Sequence, residues 1–385
     1  MWNISDLFFL FFGALFIIKY LKVLWTSRSL PPGPVPLPLI GNLWTLNFQL
    51  HPERITQLSR LYGKIYTVWL GDSPLVVLNG WRAVKDGIAS HSDELSGRPI
   101  ASFLKDLLGG AGILTTSGHL WKQQRWFTLM TLRNLGLGKH GLESRIQDEA
   151  QCMIESFRAQ KGAPFDPFNI ISATVGNVIS AVVYGHRFPL DDATYQELIK
   201  SNRGLLEGGG SAWAKNETKE RVHVELDTVL DGSKLVCEVR KRLPYTNAVI
   251  HEIQRYANIS DVGIPRTCVK EVNLYTYSLK KDTMVLANLD SVLFDPQSWK
   301  THDQFNPNNF LDKDGNFLPN DAFLPFSGGA RVYLGEQLAR YELFIFFTTI
   351  MQSFRFHLPE GVTEVNTKYI YNLTLEQWFS TPLVP

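Results

Sequence analysis

Three places in this chain bring together residue types able to do chemistry. The run Phe326-Ser327-Gly328-Gly329-Ala330-Arg331-Val332-Tyr333-Leu334-Gly335 sets a guanidinium and a phenol in a glycine-rich turn. Adjacent glycines let a loop take backbone conformations that other residues avoid, and let it approach a flat object closely. Gly335 is expected at the start of a helix, where unpaired N–H groups favour negative charge. Taken alone, the run also fits a simple turn ahead of a core helix. Trp121 and Arg125 stand four apart, on one face of an expected helix. Indole N–H and guanidinium are both donors, and the guanidinium fork suits a carboxylate. That pair alone also reads as a surface arginine beside a core tryptophan. Glu252 and Arg255, three apart, share a helix face and can form an ion pair, as such pairs do on many helices.

Other chemistries find less support. The cysteines, Cys152, Cys237 and Cys268, are far apart, odd in number and match no zinc spacing. They read as reduced, buried thiols. Gly204-Leu205-Leu206-Glu207-Gly208-Gly209-Gly210-Ser211 is not a phosphate loop, because no Gly-Lys-Ser/Thr follows it. It reads as a flexible linker or the scar of a join. A formal net charge of +1 gives no basic excess for a nucleic-acid partner. With 44% hydrophobic and 19% charged residues in 385, the chain is long and apolar enough for one large domain or two smaller ones. Asn3, Asn216, Asn258 and Asn372 each open an Asn-x-Ser/Thr triplet, which we read as chance.

The elements that must position these residues can be read in order. Leu7 to Ile18 is an unbroken apolar run; with Tyr20, Leu21, Val23, Leu24 and Trp25 it extends to nineteen residues, broken by Lys19 and Lys22. As a helix it spans about 28 Å, close to a bilayer core. Lys19, Lys22 and Arg28 follow it and Asp6 precedes it, which places the C-terminal side in the cytosol. A cleaved signal peptide would want positive charge before the run and a small-x-small site after it; neither is present. Pro31 to Pro38 is proline-rich and reads as a stiff spacer, with a ligand for a proline-reading domain as the alternative. A helix is expected over His51–Leu61, a hairpin over Ile65–Leu78 and a helix over Gly118–Leu132. Ile146, Ala150, Met153, Ile154 and Phe157 form one apolar stripe, and Phe168–Tyr184 reads as a helix buried on most sides. Leu243–Asn258 is expected to be helical, and Thr276–Leu293 alternates like strands around a turn at Lys280-Lys281-Asp282. In the last helix Leu343, Phe346, Phe347, Ile350, Met351 and Phe354 recur at helical spacing.

Phe326, Gly329, Arg331 and Gly335 stand in register with the haem-binding loop that the chain resembles, the Phe-x-x-Gly-x-basic-x-Cys-x-Gly of cytochromes P450. The cysteine position holds Tyr333. The proline-rich spacer followed by Leu39-Ile40-Gly41-Asn42, and the run Leu243-Pro244-Tyr245-Thr246-Asn247-Ala248-Val249-Ile250-His251-Glu252, resemble the microsomal family-2 type, with the arachidonate epoxygenases among the subfamilies considered. The resemblance implies a mainly α fold with a small β lobe, lacking part of its central and roof helices, behind an N-terminal membrane anchor helix. It divides the chain into an anchor (1–25), a proline-rich linker (26–48) and a haem domain (49–385) with an internal deletion near 204–221. It implies that Arg98, Trp121, Arg125, Arg266 and Arg331 meet the haem propionates, with Phe326 and Gly335 completing the loop. Tyr333 then stands at the axial position, as a ligand of the kind catalases use or as a packed side chain. Glu252 and Arg255 become a structural ion pair locked to the Phe305–Phe310 loop, a lock that Asn309, in place of a basic residue, is expected to weaken.

The function so implied is a haem b (iron protoporphyrin IX) monooxygenase of the endoplasmic reticulum membrane, facing the cytosol. It would act on apolar small molecules such as fatty acids or xenobiotics. Electrons would come from NADPH through a membrane-bound reductase, with a cytochrome b-type protein as a further donor. The alternative is a catalytically inactive, membrane-anchored haem-binding or interaction protein derived from such a gene. A third reading is a single-pass protein unrelated to haem.

Overall fold

The computed structural model describes residues 4–99, 112–136, 140–190, 192–197, 199, 216–230, 235–258 and 262–356. The glycine run at 204–211, the expected deletion near 204–221 as far as residue 215, Gly109 and Gly110, and the tail from Val362 lie outside them. In chain order the elements are α1 (Ile4–Ser27), α2 (Pro52–Tyr62), β1 (Ile65–Leu70), β2 (Ser73–Asn79), α3 (Gly80–Lys85), α4 (Gly118–Asn134), α5 (His140–Arg158), α6 (Phe168–Val183), α7 (Asn216–Leu230), α8 (Pro244–Ala257), β3 (Arg266–Thr267), β4 (Val272–Leu274), β5 (Tyr277–Leu279), β6 (Met284–Asn288), α9 (Asp290–Leu293) and α10 (Glu336–Ser353). The fold is mainly helical with a small sheet region, as the resemblance implies. The chain forms two compact units. The first takes Met1–Trp126, Ser260–Ser298 and Phe326–Tyr333; the second takes Phe127–Ile259, Trp299–Pro325 and Leu334–Pro385.

The first unit is built on a four-stranded sheet in the order β1-β2-β6-β3. Strands β1 and β2 form the expected hairpin, turning at Gly71-Asp72 with Leu70 opposite Ser73. Strand β6 joins β2 in parallel, and β3 joins β6 antiparallel. Alternate residues of the strands point to one face, so Tyr66, Val68, Leu75 and Val77 bury together against Ile55 and Leu58 of α2, with Leu46 and Leu286. The Tyr66 hydroxyl, buried in that core, donates to the Ile55 carbonyl at 2.6 Å. The proline-rich segment lies along β1 as more than a free spacer. Thr67 N–H donates to the Pro32 carbonyl, and the Asn42 side chain bonds Pro34, Val35 and Trp69. Helix α1 is long and apolar enough to cross a membrane; its Leu10–Ser27 stretch has mean hydropathy 1.5 and no buried residue. Near its C-terminal half, Lys19 pairs with Asp72 at 2.8 Å and the Tyr20 hydroxyl donates to the Pro36 carbonyl at 3.1 Å.

The second unit is helical. The stripe expected on α5 is buried as read, from Ile146 to Phe157, and packs with Val178 of α6, Val222 and Leu226 of α7, Val249 of α8 and Phe344, Phe346 and Met351 of α10. Two expectations are corrected here. Helix α6 is buried on one side only: Ile179 and Val183 stand exposed, so its apolar character does not mean full enclosure. On α10, Phe344 and Ile345 are buried and Leu343 is 38% exposed. Neighbours on two sides of a helix move the covered face off a single stripe. The Glu225 carboxylate accepts Tyr245 N–H, Thr246 N–H and the Thr246 hydroxyl, and so caps the start of α8.

Candidate functional site

Arg98 and Arg266, far apart in sequence, are brought side by side by one backbone pairing. Gly97 and Thr267 exchange N–H···O bonds at 3.0 and 3.1 Å, so their neighbours stand opposite each other. Only glycine fits at 97, since a Cβ there would lie 2.7 Å from the Thr267 carbonyl oxygen. The Arg98 Nη1 donates to the Ile264 and Pro265 carbonyls, both at 2.8 Å. Arg266 Nη2 donates to Ser327 Oγ and the Gly328 carbonyl, at 3.0 and 2.7 Å. One strand pair thus holds two guanidiniums and one of them holds the glycine-rich loop.

The loop is fixed from the other side as well. Gly329 has φ +66°, and a Cβ there would come 1.7 Å from the Ile88 carbonyl oxygen, so no other residue fits without movement. Gly328 is extended, and the second left-handed residue is Ser327 at φ +62°, which sequence reading had not marked. Ala330 N–H donates to Ser92 Oγ at 2.6 Å. Arg331 is spent on the backbone: Nε bonds the Ser96 carbonyl, Nη1 that of Ile113 and Nη2 that of Thr116, at 2.6 to 3.0 Å. Its guanidinium lies 3.9 Å from the Trp121 ring centre, and Trp121 is buried on α4. Arg331 therefore spends three of its five N–H donors on fixing the loop, and adds its charge to the group. Arg125, one turn after Trp121, lies 5.9 Å from the same ring.

The electrostatics of this group are lopsided. Among the described residues no carboxylate pairs with Arg98, Arg125, Arg266 or Arg331. Burial pulls Arg98 down to about 10. Arg266 falls to about 9 through burial and then the neighbouring Arg98. Arg331 falls to about 9 through burial and then Arg98, Arg266 and Arg125. Burial also lowers Arg125. Cations held together at the expense of hydration favour a bound anion. Two donors of this group, Arg98 Nε and Arg266 Nη1, are enclosed and have no hydrogen-bond partner among the described residues. Such orphaned donors are rare in proteins. A ligand carboxylate at each would satisfy them.

Tyr333 closes the loop, its N–H bonded to the Phe326 carbonyl at 3.0 Å. Its side chain is 57% exposed and lies parallel to the Phe326 ring, 13° apart with centres at 5.9 Å. Its hydroxyl has no hydrogen-bond partner among the described residues. Gly335 is the N-cap of α10. In the second unit, Glu252 and Arg255 are fully buried and doubly bonded, both contacts at 2.8 Å. Arg255 also donates to the His302 and Gln304 carbonyls, and Glu252 accepts Asn306 N–H. Asn309 Nδ2 reaches Glu252 Oε1 at 3.2 Å, so the lock expected to be weakened keeps a direct bond through the amide.

Arginines gathered beside a buried indole and a glycine-rich loop, with no carboxylate paired to them among the described residues, are suited to an anionic ligand. The comparisons narrow this further. The cytochrome P450 family matches residues 31–216 and 213–374. The chain is 33% identical to cytochrome P450 2A9 of Mesocricetus auratus, over 91% of this chain and 94% of that protein. It is 31% identical to cytochrome P450 2M1 of Oncorhynchus mykiss, over 89% and 91%, and 32% identical to cytochrome P450 2C23 of Rattus norvegicus, over 86% and 87%. The chain belongs to the cytochrome P450 family, whose members are haem monooxygenases. Its relatives are of the microsomal family-2 type. The alignment with the 2A9 protein runs over 461 positions, yet only about 350 residues of this 385-residue chain take part, so about 110 positions have no counterpart here. The residues present fit the two propionates of haem, through the orphaned donors of Arg98 and Arg266. They do not supply the family's axial thiolate, because Tyr333 stands in its place.

Proposed function

We propose that this chain is a haem-binding protein of the microsomal monooxygenase type, carried in the endoplasmic reticulum membrane by α1 with both compact units on the cytosolic side. Its substrates would be apolar small molecules such as fatty acids or xenobiotics, with electrons from NADPH passed by a membrane-bound reductase and a cytochrome b-type donor. The observation that carries the reading is the unpartnered donor pair on Arg98 and Arg266 inside a carboxylate-free group of arginines. When bound, haem supplies the redox-active iron for oxygen chemistry. Arg98 and Arg266 would bind and orient its carboxylates, Arg125 and Trp121 would meet the propionate edge, and Arg331 would hold the loop that lies against the ring.

An internal deletion near 204–221 belongs to the same proposal. The family match breaks and resumes at 213–216, and the positions without counterpart number about 110, both of which support it. One observation favours the second reading, a non-catalytic haem binder: Tyr333 offers no thiolate. The test is optical. The chain is loaded with haem, reduced and exposed to carbon monoxide. Haem uptake supports the proposed function. A red-shifted thiolate-type Soret band would refute the reading of Tyr333, and failure to take up haem at all would refute the clamp.

A further inference from the structure

Binding energy in a porphyrin site comes from two sources, the bond to the metal and the contacts to the ring and its carboxylates. The geometry here separates them. On the carboxylate side, Arg98 Nε and Arg266 Nη1 have no hydrogen-bond partner among the described residues, Arg266 is 3% exposed, and both guanidiniums are held by other nitrogens bonded to backbone carbonyls. Little side-chain freedom remains to be lost when an anion arrives, which favours tight charge-assisted bonds.

On the metal side the structure offers nothing comparable. A phenol ligates iron as phenolate, yet among the described residues no side chain is hydrogen-bonded to the Tyr333 hydroxyl to take its proton. Its ring is stacked on Phe326, and its backbone N–H is tied to the Phe326 carbonyl. A tyrosine oxygen also reaches several ångströms beyond a cysteine sulfur, so the loop would have to retreat to seat the iron. Its bonds to Ser92 and Arg266 oppose that movement.

We propose that this site binds a porphyrin dicarboxylate through Arg98 and Arg266 and not through its metal, so that metal-free protoporphyrin IX is as good a ligand as its iron complex. This rests on the haem-site reading above and deepens it: the ligand class is a planar tetrapyrrole carrying two free carboxylates, with or without iron.

The test uses the full chain in phospholipid nanodiscs, with quenching of tryptophan fluorescence as the readout. Three ligands are titrated: iron protoporphyrin IX, metal-free protoporphyrin IX and the dimethyl ester of the metal-free ring. The expected result is a ratio of iron to metal-free affinity within about threefold, which is under 1 kcal/mol, and a loss of at least about tenfold with the ester, the scale of one charge-assisted bond. Tyr333→Phe keeps the same ratio, whereas Tyr333→Cys shifts it towards iron. An iron preference above about tenfold that disappears in Tyr333→Phe overturns the proposal and makes Tyr333 a ligand. Equal binding of ester and acid also overturns it, because the carboxylates then do nothing. If no porphyrin binds at all, the haem-site reading itself falls. The ester needs no variant, so the carboxylate arm does not depend on whether an arginine substitution folds.

Discussion

Glu342 lies on the buried side of α10, 7% exposed, and its enclosed Oε1 has no hydrogen-bond partner among the described residues. Burial alone raises its carboxyl to about 8, since no nearby cation opposes the change. In the unfolded chain it ionises near 4.5. Below that value the group is neutral in both states and the folded state loses nothing. Between about 4.5 and 8 the unfolded chain releases the proton and the folded one keeps it, so stability falls by about 1.4 kcal/mol per pH unit. Roughly 4–5 kcal/mol has gone by pH 8, and the loss levels off above it. Glu342→Gln removes the titration while keeping size and polarity. The variant should therefore match the parent within about 1 kcal/mol at pH 5 and exceed it by roughly 3–5 kcal/mol at pH 8. Urea denaturation of both proteins in detergent micelles, followed by far-UV circular dichroism, measures the difference. A gap that does not change between the two pH values would refute the reasoning: Glu342 would then be ionised and partnered in the folded chain.

Arg255→Ala should destabilise the second unit by about 3–5 kcal/mol, because it leaves the fully buried Glu252 without its cation; Asn309→Ala, which removes one 3.2 Å bond to the same carboxylate, should cost about 1 kcal/mol in the same denaturation assay. Gly329→Ala forces the loop off the Ile88 carbonyl and should weaken porphyrin binding at least about tenfold, about 1.4 kcal/mol or more, while the helical circular dichroism of the chain stays unchanged. After alkaline carbonate washing of membranes the chain should remain in the pellet, since the Leu10–Ser27 stretch of α1 buries nothing within the protein; release to the supernatant would remove the anchor.

What the sequence disclosed, and what it hid, follows from distance along the chain. The α5 stripe, the β1–β2 hairpin and the Glu252–Arg255 pair are local patterns: each is written within a few residues, and each appears in the structure where periodicity or spacing puts it. The site is the reverse case. Arg98 and Arg266 are joined only because Gly97 pairs with Thr267, and no local rule links positions so remote; the family pattern supplied them before the strand pairing explained them. Local pattern also misled where two neighbours press on one helix. Phe344 and Ile345 fall off the i, i+3, i+4 stripe of α10 and are nonetheless buried, while Leu343, on the stripe, is not. Arg331 shows a further limit, because the resemblance implied a ligand-binding cation although each of its three nitrogens donates to a backbone carbonyl, of Ser96, Ile113 and Thr116. That commitment also explains how a haem-type loop keeps its shape without a metal bond: the loop is held by Arg331, Arg266 and Ser92, none of which depends on residue 333. Substitution at 333 therefore changes what the site can do to iron while leaving intact the groups proposed to bind the porphyrin edge.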